Sequence, residues 1–162
     1  MSERSIEERQ AEFSCDLLDI EQFIVNVDGH EESPLVYRRD DEQLPNRVHF
    51  LIPEGANYNI TIKYKVKKRP LKKTSFHQIV KKRGFTVRDR KVPMHDDADV
   101  NIDEDYVHEA ILPHDQVPSG FLVRGQYSGQ SFIYEDDEVI WNQDFIFEII
   151  KKGNKPTMGG YD

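Results

Sequence analysis

From Tyr58 to Lys67 the chain runs Tyr-Asn-Ile-Thr-Ile-Lys-Tyr-Lys-Val-Lys, apolar at every even position and polar at every odd one. A period of two sends alternate side chains to opposite faces of an extended strand, so this segment predicts a half-buried β-strand. Further runs of strand composition cover residues 17–27, 35–38, 48–52, 75–82, 85–88, 106–112, 121–134 and 139–150. Turn residues divide them: Asp28-Gly29, Ser33-Pro34, Pro53-Glu54-Gly55, Arg69-Pro70, Arg83-Gly84, Pro113 and Pro118-Ser119-Gly120. Eight or nine strands at this spacing predict an all-β fold, an antiparallel β-sandwich. Helix signal is confined to the start, where Ser5 and Glu8 have the spacing of a capping box ahead of a helix too short to be stable alone. The expected organisation is a short N-terminal segment over residues 1–14, the sandwich over 15–152 and a flexible tail over 153–162.

The chain has 162 residues, 37% of them apolar, enough for one real core. No apolar run approaches the roughly 18 residues of a membrane helix, and the charged start is unlike a signal peptide, so a cytoplasmic location is expected. Cys15 stands alone and no motif surrounds it. The net charge of −8 hides a division, because residues 63–91 hold 13 Lys/Arg and one acid, a local +12 against −20 elsewhere. Those cations alternate with apolar residues as on a solvated strand face, and the chain as a whole is acidic, which argues against a nucleic-acid partner. Motifs for catalysis are missing and the six histidines are scattered, so no enzyme, no cofactor and no metal is expected. In the acidic run over residues 96–105, Asp97, Asp99, Asn101, Asp103 and Asp105 recur at the spacing of a calcium loop. Its turn position holds Ile102 instead of Gly, and its last ligand position holds His108 instead of Glu, which favours a solvated loop over a calcium site.

Several blocks in register resemble one family. Pro53-Glu54-Gly55-Ala56-Asn57-Tyr58 followed by the alternation, Phe76-His77-Gln78 with Lys82-Arg83-Gly84, and Pro118-Ser119-Gly120-Phe121-Leu122-Val123-Arg124-Gly125-Gln126-Tyr127-Ser128 are similar to the corresponding stretches of the Rho GDP-dissociation inhibitor (RhoGDI) family. Glu135-Asp136-Asp137 and a last aromatic strand ending Ile150-Lys151-Lys152 complete the order. The likeness covers about residues 16 to 152, and Arg124-Gly125-x-Tyr127-Ser128 is its most specific part.

The resemblance implies an immunoglobulin-like β-sandwich with a prenyl-accepting slot between its sheets. Carried over by position, the slot is lined by Phe50, Tyr58, Ile60, Leu122 and Tyr127, with Trp141, Phe145 and Phe147 from the last strand, where the family has a Trp-x-Trp and this chain does not. Asp137 and Asp115 match acids that contact the GTPase. The implied partner is a prenylated Rho-family small GTPase in its GDP-bound form, held by its isoprenoid lipid tail and drawn off membranes that the protein, a monomer, touches only transiently. The family's long N-terminal arm has a counterpart of only about 14 residues, which implies weakened inhibition of GDP release, and the family's Met-Val-Gly-Ser-Tyr-Gly-Pro loop is replaced by the acidic run. The alternatives are a general prenyl-protein carrier like the phosphodiesterase delta subunit and a calcium-dependent β-sandwich module.

Overall fold

A computed structural model describes residues 3–101 and 105–161, and in it the period-two alternation becomes strand after strand. A helix, α1 (Ile6–Ala11), precedes β1 (Leu18–Val27), β2 (Leu35–Arg38), β3 (Val48–Pro53), β4 (Asn57–Val66), β5 (Leu71–Lys82) and β6 (Phe85–Ala98). There follow β7 (His108–Ile111), β8 (Asp115–Gln116), β9 (Gly125–Glu135), β10 (Glu138–Ile150) and β11 (Thr157–Met158). One sheet has the order β2-β1-β4-β7, with β8 also pairing β4; the other has the order β11-β3-β10-β9-β5-β6. Their inner faces meet as a β-sandwich: Phe23 of the first sheet stacks on Phe50 of the second at 5.6 Å between ring centroids and lies 6.0 Å from Phe76. Among the described residues no helix is long and apolar enough to cross a membrane.

The sandwich departs from the expected pattern in four places. First, the sheets are not wholly antiparallel, because β3 runs parallel to β10 from Val48↔Phe145 to Pro53↔Ile150. Second, β5 and β6 are longer than their composition indicates, and β6 carries Pro93 without harm because it is the edge strand of its sheet, where a missing N–H need not cost a ladder bond. The acidic run is therefore not a single loop: Asp96 and Asp97 lie in β6, and Asp97 pairs with Lys72 across the ladder at 3.2 Å. Its residues Ile102, Asp103 and Glu104 lie outside the described residues. Third, residues 121–124 form a turn instead of the start of β9.

Fourth, the tail expected to be flexible is tied down. Thr157 and Met158 pair with Leu51 and Phe50, the Gly159 N–H donates to the His49 carbonyl at 2.8 Å, and the Tyr161 hydroxyl donates to Asp41 at 3.1 Å. Without β11, β3 would be left with a row of unpaired backbone groups, which the tail satisfies. The N-terminal segment docks too. Ser5 and Glu8 form the anticipated capping box, and the short helix is held by tertiary contacts: Arg9 donates to the Leu44 carbonyl at 2.9 Å and Phe13 is buried in the core.

Candidate functional site

Where β1 ends and β4 begins, the two sheets do not close on each other. A cavity of about 350 Å³ lies between them. Val25 of β1 and Tyr58 and Ile60 of β4 face it from one sheet. From the other come Phe50 and Ile52 of β3, Val80 of β5, Tyr127 of β9, and Phe145, Phe147 and Ile149 of β10. The i, i+2 spacing of these pairs and of the β10 triplet is the strand period that delivers them to one face. Tyr58 and Tyr127 stand 6.3 and 6.4 Å from Phe147, so three aromatic rings frame the void. Gly129 sits opposite Phe145 in the ladder, and the ring occupies the space a Cβ would fill, which lets it lie against the backbone.

The mouth is built by a clasp. Glu54, just after β3, accepts the Gly120 N–H at 3.2 Å on one carboxylate oxygen and Arg124 on the other. The Arg124 hydrogen bond, with help from the Gly120 N–H, holds the Glu54 carboxyl below its ordinary pKa. Gly55 has φ 76°, which strains any other residue, and a Cβ there would fall 2.8 Å from the Ser119 Oγ, so glycine lets the turn and the 118–124 loop seat closely against each other. The Tyr127 hydroxyl donates to the Val123 carbonyl at 2.5 Å, and Lys82 spans the lip, 4.6 Å over the Tyr127 ring and 3.2 Å from the Arg124 carbonyl that accepts its N–H. These bonds fix Val123 and Leu122 at the rim, although Leu122 itself is 79% exposed.

Seven of the eight residues assigned by resemblance to the slot line this cavity: Phe50, Tyr58, Ile60, Leu122, Tyr127, Phe145 and Phe147. Trp141 does not. It lies four residues back along the same face of β10, buried at the filled end, where its indole N–H donates to the Glu12 carbonyl at 2.9 Å. Asp115 reaches the mouth, but its carboxylate is engaged by Arg88 and Arg90, the latter at 3.4 Å. Asp137 sits in the β9–β10 turn, beyond Glu135, which lies eight residues and roughly 26 Å along β9 from Tyr127, so the two acids do not form one surface. Val25, Ile52, Val80 and Ile149 were not singled out in the sequence; Ile52 and Ile149 carry the signal of lying two residues from Phe50 and Phe147. The roles of Glu54 and Arg124 lay inside the quoted motifs but needed the fold to appear.

Chemically the cavity suits an apolar chain with a polar end. Its walls are aliphatic and aromatic, and Gln78, Lys82, Arg88, Asp115 and Gln116 supply its polar lining. Burial raises the pKa of the Tyr58 phenol, which keeps it neutral. Among the described residues the lining holds no serine, cysteine or histidine, and no cluster of carboxylate, histidine or cysteine side chains is arranged to hold a metal ion.

Comparison with known proteins points in one direction. The sequence profile of the family described as RHO protein GDP dissociation inhibitor matches residues 4–152. The chain is 27% identical over 130 residues to the Rho GDP-dissociation inhibitor of Schizosaccharomyces pombe, covering 77% of this chain and 60% of that protein. It is 29% identical over 121 residues to the Rho GDP-dissociation inhibitor of Saccharomyces cerevisiae, covering 72% of this chain and 57% of that one. The chain thus spans less than two thirds of the length of these curated relatives.

Proposed function

The chain belongs to the RHO protein GDP dissociation inhibitor family, and on that premise we propose that it binds the isoprenoid tail of a prenylated Rho-type GTPase in the slot between its sheets. Acting as a monomer on the GDP-bound form, it draws the GTPase off membranes, keeps it soluble in the cytosol and restrains GDP dissociation. The observation that carries this reading is the open cavity of about 350 Å³ with an apolar lining. Its volume lies within the roughly 300–1,000 Å³ of small-molecule sites. At about 0.8 kcal/mol per buried carbon unit, a geranylgeranyl chain of about 20 carbons gains roughly 10 kcal/mol or more on full burial. That is enough to compete with a bilayer, since a single lipid chain anchors only reversibly.

The test is a comparison of affinities for a Rho-type GTPase with and without its prenyl group. The prenylated form is expected to bind at least about tenfold more tightly, or 1.4 kcal/mol. Equal affinity for the two forms would overturn the reading.

A further inference from the structure

Single exposed apolar side chains are ordinary on protein surfaces, but a convergent group of them is not. Seven large apolar residues are exposed among the described residues, and four of these lie on the two segments that border the mouth of the slot, the start of β6 and the 118–124 loop. Phe85 (77% exposed) and Val87 (54%) stand just after the β5–β6 turn, while Phe121 (76%) and Leu122 (79%) crown the 118–124 loop. The Lys82 bond to the Arg124 carbonyl ties turn and loop together, and Val87 and Leu122 line the same opening.

The lip also carries cations. At the far end of the sandwich Lys67, Arg69 and Lys72 pair with Asp19, Glu135 and Asp97 at 2.8 to 3.3 Å, while Lys68 and Lys73 are exposed there. At the lip, Lys81 and Arg83 are exposed and form no ion pair with a described carboxylate. Of the acids that adjoin it, Glu54 is held by Arg124, Asp115 by Arg88 with Arg90, and Asp144, in the same hollow as Lys81, by Arg47 at 3.4 Å. Glu31 and Glu32 lie in the β1–β2 turn of the other sheet.

We propose that this lip is a membrane-docking surface, in which Phe85 and Phe121 enter the interfacial zone of an anionic bilayer while Lys81 and Arg83 meet its headgroups. Apolar side chains such as Phe and Leu bury at the boundary between headgroups and acyl chains, and each nearby cation adds attraction to anionic lipid. The slot then opens onto the lipid from which a prenyl tail must come. That purpose rests on the isoprenoid reading, whereas the docking itself rests on the exposed residues alone.

The test is sedimentation of the protein by itself with phosphatidylcholine vesicles, with and without phosphatidylserine, alongside binding of a fluorescent geranylgeranyl cysteine in solution. Binding to the phosphatidylserine vesicles is expected, weakening as salt rises. Neither Phe85 nor Phe121 lines the cavity, so F85S/F121S and K81Q/R83Q should each lose about tenfold or more in vesicle binding while holding the fluorescent isoprenoid as the parent does. Vesicle binding unchanged in both variants would overturn the proposal, as would a parent protein that binds the isoprenoid and ignores the vesicles, which leaves the slot reading standing. Vesicle binding without isoprenoid binding would support the lip and defeat the slot.

Discussion

At one end of the sandwich Leu18, Ile20, Ile62, Leu71 and Ile133 have essentially no exposed surface, and Phe13 and Trp141 close that end. At the other end Val25, Ile60, Val80 and Phe147, of the same residue types on the same strands or their neighbours, surround a cavity. The pair Ile60 and Ile62 makes the contrast most sharply, being adjacent on one face of β4 with a void before one and none around the other. Alternation assigns side chains to a face but does not set the distance to the opposite face. The filled end gains the Phe13 ring from outside the strands; at the slot end the side chains from outside the strands, Val117, Leu122 and Val123, border the void without filling it, and its margin is propped by the Glu54 clasp.

Truncation should separate the two ends most strongly. Ile62→Ala is expected to destabilise the protein by about 2–5 kcal/mol, the range for a fully packed isoleucine. Ile60→Ala should cost clearly less, because part of its surface already faces a void whose lining has lost those contacts. Chemical denaturation of both variants decides it, and equal losses would mean that the slot end is as tightly packed as the other.

Enlargement should act in the opposite sense. Val66→Phe at the filled end is expected to cost about 1–3 kcal/mol through overpacking. Val80→Phe, filling the slot, should leave the unfolding midpoint close to the parent's while lowering isoprenoid affinity at least about tenfold, or 1.4 kcal/mol. A Val80→Phe protein that unfolds as easily as the Val66 variant would erase the distinction.

The smallest effect belongs to the clasp. The folded-state pKa of Glu54 is depressed below the ordinary 4.5, so its contribution is fully present above that value and is lost as pH falls through the depressed pKa. The Gly120 amide proton, which donates to Glu54, should therefore shift in NMR spectra with a midpoint below 4.5, and the titration should vanish in Glu54→Gln. A Gly120 shift that stays flat across that range would show that the loop is held by other contacts.

Much of this architecture is legible residue by residue. The strict alternation of 58–67 can serve only an extended strand with one face buried, and β4 is central in its sheet. Ser5 and Glu8 form their cap because a capping box needs only neighbours in sequence. The parallel β3–β10 pairing was not legible, since its partners lie almost a hundred residues apart and nothing in either strand states its direction. Nor was β11: a Lys-Pro-Thr-Met-Gly-Gly tail has poor strand composition, and it is ordered by the open edge of β3 that only the assembled sheet presents.

What the sequence by itself determined is which side chains face inward, for that follows from a period of two and the positions of the turn residues. The family resemblance, carried over by position, also named seven residues that line the cavity. Only the tertiary structure decided where the inward faces touch and where they stand apart. Trp141 shows the reason: it shares a face with Phe145 and Phe147, yet it is covered by the N-terminal segment while they border a void. Whether an apolar side chain is core or slot depends on what arrives from distant parts of the chain to fill the space before it. That is a sum over contacts that no stretch of sequence contains.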